Sequence, residues 1–238
     1  MIEVTGLTVR FGGVTSLDDM DVTFDAGTCG LIGPNGAGKT TFFNVLSGFV
    51  RPASGTVTAF GENLLSMAHF RRARWGVRRT FQTEQAIEQL SVFDNVAMIH
   101  EHSKLSRASR RQDTLGAIDI VGIQSDPSAP VQTLSGGERR LVEVARAIVG
   151  RPKIVLLDEP AAGLPDDETT DLGRVIRAIP EHTGAQVILV DHDMSLVSGC
   201  CERTAVLDFG RLIASGPTAE VLRDERVVRA YLGDQAAA

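Results

Sequence analysis

Residues 33–41 have the composition of a phosphate-binding loop. They read Gly33, Pro34, Asn35, Gly36, Ala37, Gly38, Lys39, Thr40 and Thr41, and residues 33–40 match the pattern G-x-x-x-x-G-K-[ST] without a mismatch. Backbone N–H groups hold nucleotide phosphates best, and glycine lets the backbone approach them closely. Lys39 adds positive charge for the terminal phosphates, while the hydroxyl of Thr40 can ligate Mg²⁺, which prefers hard oxygen. We therefore predict that this loop binds a nucleotide.

Two later segments carry groups suited to chemistry on the same phosphates. Residues 154–157 are apolar and lead into Asp158 and Glu159, and ligands gather at the carboxyl ends of strands in open α/β sheets. Asp158 would then hold Mg²⁺ through its waters, and Glu159 would polarise an attacking water. His192 follows the next apolar run, from where it could reach a γ-phosphate, although a lone histidine is more often structural.

A second helix start that could bind an anion lies at residues 134–138. Ser135 and Glu138 have the spacing of a helix capping box, which alone would explain both residues. Gly136 and Gly137 leave the first N–H groups of the helix bare, and bare N–H groups at a helix start favour an anion site. On the residues alone, both interpretations stay open.

The pattern of apolar residues predicts the elements that position these groups. Residues 28–32 read as a short buried strand that runs into the loop, and residues 40–47 as a helix whose N-terminus faces the anion. Residues 153–158 and 185–191 read as strands buried on both faces, each followed by a helical segment. This alternation predicts a parallel α/β sheet.

Other segments predict structure around that sheet. Residues 2–10 and 20–25 alternate apolar and polar side chains, which indicates antiparallel strands with a turn at residues 10–13 between them. Helical periodicity within residues 83–134 predicts a helical subdomain, with Ser91 and Asp94 placed as a possible capping box. The C-terminal part predicts a closing hairpin and then two short helices.

Composition indicates a soluble protein. Hydrophobic residues make up 43% of the chain, and no apolar run approaches the about 18 to 20 residues of a membrane helix. We expect a cytosolic chain, because its start lacks the plan of a signal peptide. The net charge of −6 opposes nucleic-acid binding, and we interpret five arginines among residues 71–79 as a solvated or partner-facing surface. The spacing of Cys29, Cys200 and Cys201 predicts buried thiols.

Taken together, these motifs resemble those of the nucleotide-binding subunit of ATP-binding-cassette (ABC) transporters over nearly the whole chain. The resemblance implies a P-loop NTPase core of the RecA-like type with an antiparallel β subdomain, formed by residues 1–82 and 135–238, and a helical subdomain at residues 83–134. It also implies an ATPase that uses ATP and Mg²⁺.

The resemblance further implies a role for each site residue. The expected catalytic residues are Lys39, Gln82, Glu159 and His192; the expected metal-site residues are Thr40, Gln82 and Asp158; the expected nucleotide contacts are Phe11, which would stack on adenine, residues 33–41 and, from a second protomer, Ser135, Gly136, Gly137 and Glu138. Residues 134–138 would be the signature segment, which docks on the nucleotide of the other protomer. Gln82 would also sense the membrane partner.

Short sequences at residues 10–14, 41–44, 79–82 and 192–194 look most like the branched-chain amino-acid uptake branch of the family. That branch implies import at the cytoplasmic face of a bacterial inner membrane, with integral-membrane permease subunits, a second identical or similar ATPase subunit and, indirectly, a periplasmic solute-binding protein. The lipopolysaccharide-export type is the nearest alternative, and residues 135–140 also suggest it.

Two rivals come from other classes. A soluble ATPase of DNA repair or translation would need a long coiled-coil arm, for which residues 83–133 leave no room. A small-molecule kinase or GTPase leaves residues 134–138 unexplained. The chain also departs from the family pattern twice: Pro165 stands where Asp or Asn is frequent, and residues 83–89 are more polar than the uptake branch usually shows.

Overall fold

The computed structural model describes residues 1–100 and 105–235, with side chains described as far as Tyr231. In chain order the strands are β1 (Ile2–Phe11), β2 (Val14–Phe24), β3 (Thr28–Ile32), β4 (Ser54–Ala59), β5 (Glu62–Asn63), β6 (Val77–Arg79), β7 (Ile154–Asp158), β8 (Gln186–Val190), β9 (Arg203–Asp208) and β10 (Arg211–Pro217). The helices are α1 (Lys39–Ser47), α2 (His69–Trp75), α3 (Val92–Ala97), α4 (Arg107–Val121), α5 (Gly136–Ile148), α6 (Asp166–Thr183), α7 (Met194–Cys200), α8 (Thr218–Val221) and α9 (Glu225–Gln235).

A six-stranded sheet in the order β10-β9-β3-β8-β7-β6 forms the centre of the fold. All neighbouring pairs are parallel except β9 and β10, which form the predicted closing hairpin. Every residue of β3, β7 and β8 is buried, as their continuous apolar sequences predict. Because these strands are parallel, the segments that follow β3, β7 and β8 all leave the same edge of the sheet.

Hydrophobic packing covers both faces of this sheet. Along β7, Val155 and Leu157 pack into one apolar cluster with helices α5 and α6, whereas Ile154 and Leu156 pack into a second cluster. The second cluster also contains Phe42 and apolar residues of β1 and β2. Since successive side chains of a strand point to opposite faces, the two clusters hold the strand ends in a fixed position.

A four-stranded sheet in the order β2-β1-β4-β5 forms the antiparallel part. The prediction that its second strand begins at residue 20 is wrong, because β2 begins at Val14. The register of the β1–β2 pair shifts between Leu7 and Val9, and Asp19 has a positive φ of 50°. As a result Leu17 and Met20 are both buried although they are three residues apart, and the alternation that marks a strand becomes regular only after this irregularity.

The helical region contains α3 and α4. The predicted capping box forms in part: the side chain of Ser91 caps α3 by accepting a hydrogen bond from the N–H of Asp94, but the Asp94 carboxylate accepts the hydroxyl of Ser91. Residues 83–90 precede this region without forming a helix. Residues 101–104, which the predicted subdomain includes, lie outside the described residues.

The mixed α/β fold class is thus confirmed, as are the two short C-terminal helices.

All three cysteines are buried free thiols, as predicted. A hydrogen bond with Cys200 and burial both raise the pKa of the Cys201 thiol. Among the described residues, no helix combines the length and the apolar character that crossing a bilayer requires.

Candidate nucleotide-binding site

All three glycines of the phosphate-binding loop have a positive φ, and Gly36 and Gly38 were the two predicted to serve phosphate binding. Gly36 has a φ of 80° and Gly38 a φ of 106°, a region that favours glycine. A Cβ atom at Gly38 would lie 2.7 Å from the carbonyl oxygen of Ser16, whereas one at Gly36 would meet nothing within 4 Å. Both glycines were predicted to let the backbone approach phosphates closely. The structure shows a further reason for glycine at position 38, because a side chain there would collide with β2. At Gly36, by contrast, a side chain would extend into open space.

Lys39 begins α1 and is buried within the loop. Its Nζ donates hydrogen bonds to the carbonyl oxygens of Gly33 at 2.6 Å and Pro34 at 3.0 Å. These bonds hold the ammonium group on the concave side of the loop, next to the N-terminus of a helix whose dipole also favours an anion. Thr40, the next residue, is exposed.

The loop is also tied to the antiparallel sheet. The hydroxyl groups of Ser16 and Thr41 are 2.7 Å apart and share a hydrogen bond. Sequence reasoning missed Ser16, because a serine within a strand has no motif that marks it.

Phe11, the predicted adenine contact, is the last residue of β1. It is 51% exposed and pairs across the hairpin with the exposed Val14. Its ring is therefore accessible for stacking, although the structure does not place it against the loop.

Asp158, at the end of β7, forms a buried ion pair. Arg79 of β6 donates from Nη2 to Oδ2 of Asp158 at 2.6 Å and from Nη1 to Oδ1 of Asn44 at 2.7 Å. The N–H of Asp158 donates to the hydroxyl of Thr80 at 3.2 Å. Asp158 is thereby fixed between β6 and α1. Arg79 is one of the five arginines predicted to form a solvated or partner-facing surface, and for this residue the prediction is wrong, because its side chain is buried in the ion pair.

Gln82 and Glu159 meet directly. Nε2 of Gln82 donates to Oε2 of Glu159 at 3.0 Å, although 77 residues separate them in the chain. Glu159 has a positive φ of 48°, and its N–H donates to the carbonyl oxygen of Val190 at 2.7 Å. A glutamate in this conformation carries backbone strain that the surrounding structure must support, as is frequent at functional sites.

His192 follows β8 and its side chain is 70% exposed. Its Nδ1 lies 3.7 Å from Oδ1 of Asp191, which is fully buried. Asp191 accepts hydrogen bonds from the N–H groups of Ala161 at 3.3 Å and Asp193 at 3.0 Å. Asp191 therefore ties the segment after β7 to the segment after β8 and supports the position of His192. The sequence had indicated Asp191 only as the end of a strand.

The capping box predicted at residues 134–138 forms only in part. Ser135 caps α5 by accepting the N–H of Glu138 at 3.1 Å, so the helix begins at Gly136. The Glu138 carboxylate does not return to the N–H of Ser135; it accepts the N–H and the hydroxyl of Ser125, at 3.0 and 2.9 Å. The reciprocal half of the box is lost because Ser125, just beyond α4, offers two donors.

A cleft of about 720 Å³ lies beside this helix start. Ser135, Gly137 and Glu138 line it together with residues of α4 and α6, and no residue of the phosphate-binding loop lines it. A Cβ atom at Gly137 would lie 2.6 Å from Oε2 of Glu168, so a larger residue there would require the Glu168 carboxylate to move. The two helix starts that were predicted to bind anions therefore do not share this cleft.

The segment after Gln82 is held by buried polar side chains that sequence reasoning also missed. Glu143 of α5 accepts the N–H of Gln85 at 2.9 Å, and Asn95 of α3 bonds to both the N–H and the carbonyl oxygen of Ile87. The position of Glu143 between the buried Val142 and Val144 was an available signal, because a buried carboxylate needs partners.

The oxygen donors at this edge of the sheet suit Mg²⁺. Thr40 supplies a hydroxyl, Gln82 an amide oxygen and Asp158 a carboxylate, all hard ligands. Within the part of the chain that the structure describes, no cluster of three or more His, Cys, Asp or Glu side chains could hold a metal alone. A site of one carboxylate fits Mg²⁺, which is usually bound by one or two carboxylates and by the phosphates of the substrate.

The phosphate-binding loop lies between a buried strand, β3, and a helix, and two carboxylates lie at the end of β7, a parallel strand of the same sheet that is separated from β3 only by β8. This arrangement defines a P-loop nucleoside triphosphatase. Comparison with known proteins makes this assignment more specific. A family model described as ABC transporter matches residues 17–162, and one described as branched-chain amino acid ATP-binding cassette transporter matches residues 211–237. The chain therefore belongs to the ABC transporter family.

Individual relatives agree with this assignment. The chain is 34% identical over 251 residues to the high-affinity branched-chain amino acid transport ATP-binding protein LivG of Escherichia coli (strain K12), with 98% of each chain covered. It is 35% identical over 230 residues to the lipopolysaccharide export system ATP-binding protein LptB of the same strain, with 96% of this chain and 95% of LptB covered. The crystal structure of the ADP conformation of MJ1267, an ATP-binding cassette of an ABC transporter, superposes with a TM-score of 0.86 at 25% identity and 98% coverage of each chain.

These findings confirm the predicted P-loop fold, the ATP-binding and ATP-hydrolysing activity and the resemblance to the branched-chain amino-acid uptake branch. The chain is the ATPase subunit of an ABC transporter. The geometry also brings together two of the predicted site residues, Gln82 and Glu159, through a hydrogen bond that was not predicted.

Proposed function

We propose that the chain powers the import of branched-chain amino acids or similar small solutes from the cytoplasmic face of a bacterial inner membrane. The observation that carries this proposal is the match of residues 211–237 to a branched-chain amino acid cassette. This segment contains β10, α8 and α9 and lies outside both the phosphate-binding loop and the strand-end carboxylates. It therefore supports the uptake branch independently of the motifs that bind nucleotide.

Hydrolysis would proceed by in-line attack of water on the γ-phosphate. The loop N–H groups and Lys39 bind the phosphates and stabilise the charge that develops on them. Glu159 orients the attacking water and accepts its proton, while Gln82, which contacts Glu159, holds that carboxylate in place. His192 positions the γ-phosphate from the neighbouring strand end. Thr40, Gln82 and Asp158 would hold Mg²⁺, which would supply positive charge to the bound phosphates.

A second chain would complete each site. The cleft beside Ser135 and Gly137 contains no residue of the phosphate-binding loop, so the signature segment serves the nucleotide of a partner chain. Two identical or similar ATPase subunits would then pair head to tail and bind two nucleotides between them. The bare N–H groups at the start of α5 would face the γ-phosphate of the partner's nucleotide.

An exposed aromatic cluster (Phe49, His69, Phe70 and Phe81) is the surface that we assign to the permease. The ring centroid of Phe49 lies 6.3 Å from that of His69 and 6.5 Å from that of Phe81, and the guanidinium groups of Arg71 and Arg74 flank Phe70. Exposed aromatic side chains beside arginine are typical of protein interfaces. Phe81 directly precedes Gln82, and the side chain of Gln82 contacts the Glu159 carboxylate. A permease docked on Phe81 would therefore lie one residue away from a direct contact of the catalytic residue.

Reconstitution into liposomes with the permease subunits and the periplasmic binding protein tests this function. We expect ATP-dependent accumulation of leucine, isoleucine or valine inside the vesicles, and ATP hydrolysis that rises when the liganded binding protein is present. Phe49→Ala is expected to reduce uptake and co-purification with the permease without changing ATP binding. Phe209→Ala is the matched control, because Phe209 is 89% exposed but lies apart from the cluster, in the β9–β10 turn.

Two outcomes of the same assay would contradict the proposal. Extraction of lipopolysaccharide without amino-acid uptake would support the exporter alternative, to which the similarity with LptB points. Equal loss of permease from the Phe49→Ala and Phe209→Ala variants would show that the aromatic cluster is not the docking surface.

A further inference from the structure

Arg79 is a buried cation that contacts the proposed metal-site residue Asp158. Its side chain is 6% exposed and that of Asp158 is 8% exposed. Its guanidinium carbon lies 5.5 Å from the ring centroid of Phe43 and 5.0 Å from that of Phe81. One side chain thus touches the helix that follows the phosphate-binding loop, the acidic strand end and the exposed aromatic cluster.

The contacts of Arg79 use its planar, forked shape. One terminal nitrogen donates to Asn44 and the other to Asp158, while the face of the group stacks on aromatic rings. A lysine has a compact charge on a flexible stem and cannot reproduce this arrangement. The guanidinium therefore fixes the direction of the Asp158 carboxylate as well as balancing its charge.

The ion pair with Arg79 uses only one of the two carboxylate oxygens of Asp158. Among the residues that the structure describes, hydrogen bonds reach Oδ2 and none reaches Oδ1. A buried carboxylate without a partner is costly, so the contact with Arg79 holds Asp158 in place through Oδ2 and leaves Oδ1 available.

We propose that Arg79 is a positioning residue for the metal-supporting carboxylate: it fixes Asp158 through Oδ2 and so presents Oδ1 to the Mg²⁺ of the nucleotide complex. This inference rests on the proposed function of Asp158. Residues that orient metal-supporting ligands typically contribute about 10- to 100-fold to metal affinity. Arg79 also links the carboxylate to Phe81, so the aromatic cluster and the metal site share one side chain.

Binding of a non-hydrolysable ATP analogue to the purified chain, with Mg²⁺ and with EDTA, tests this proposal. For Arg79→Met we expect the Mg²⁺ affinity of the analogue complex to fall about 10- to 100-fold, while the metal-free affinity for the analogue changes by less than about threefold. Arg78→Met is the matched control: it removes a charge from the same strand, where Arg78 donates to main-chain carbonyls, and should keep the wild-type Mg²⁺ affinity.

Arg79→Lys keeps the positive charge, and it is the variant to measure if Arg79→Met does not fold. We expect the lysine variant to lose at least about threefold of the Mg²⁺ affinity, since it balances the carboxylate without the forked contact. Wild-type Mg²⁺ affinity in a folded Arg79→Met or Arg79→Lys chain would overturn the proposal, as would an equal loss of metal-free and metal-bound affinity. A wild-type chain in which Mg²⁺ does not tighten analogue binding would instead contradict the metal site of the proposed function itself.

Discussion

Replacing Glu159 with glutamine is expected to lower the rate of ATP hydrolysis by about 10²- to 10⁴-fold, the usual loss when a general base is removed. The amide keeps the shape of the side chain but cannot accept a proton from the attacking water. It can still accept the hydrogen bond from Nε2 of Gln82, which is 3.0 Å from Oε2 of Glu159 in the native chain. ATP binding should therefore persist while turnover is lost.

Phosphate release at saturating ATP measures this effect. Glu181→Gln makes the same change at an exposed position on α6 and should leave the rate unchanged. His192→Ala should also slow hydrolysis, because the γ-phosphate loses a positioning group while Asp158 and Glu159 stay intact. A Glu159→Gln chain that hydrolyses ATP within about threefold of the wild-type rate would place the general base elsewhere.

Lys39→Ala is expected to abolish productive ATP binding. The substitution removes the only lysine of the phosphate-binding loop, so the terminal phosphates lose their close counter-charge. It also removes two hydrogen bonds to the carbonyl oxygens of Gly33 and Pro34, which help the loop keep its curvature. Both losses weaken the same site.

Titration with a fluorescent ATP analogue measures this loss, and thermal melting shows whether the variant is folded. Lys153→Ala is the control, since Lys153 is exposed and its Nζ lies 4.3 Å from the ring centroid of Trp75, away from the loop. Unchanged nucleotide affinity in a folded Lys39→Ala chain would refute the role assigned to Lys39.

The central sheet could be predicted from sequence because its signals are local. β3 matches its predicted bounds, and β7 and β8 begin and end within one residue of theirs. Each is a continuous apolar run between turn residues, and burial on both faces leaves no polar position to obscure the pattern. The phosphate-binding loop could be predicted equally well, since its glycines and its lysine lie within seven residues of one another in the chain.

The parts that sequence reasoning missed depend on partners that are distant in the chain. Arg79 and Asp158 are 79 residues apart, and Glu143 holds Gln85 across 58 residues. A capping box was expected at Glu138, but that carboxylate bonds to Ser125 instead, since tertiary contacts override a local motif. The resemblance to ABC cassettes gave Gln82 and Glu159 separate roles, but their contact was not predicted, because no periodicity links residues so far apart.

The central claim is that two chains assemble each ATP site, and light scattering on the Glu159→Gln chain tests it most directly. This variant should bind ATP without consuming it, so the paired state should accumulate. With saturating ATP and Mg²⁺ we predict twice the mass of one chain, and with EDTA or without nucleotide the mass of a single chain. A variant that stays a single chain with saturating ATP and Mg²⁺, and that also fails to pair in the presence of its permease, would contradict the account.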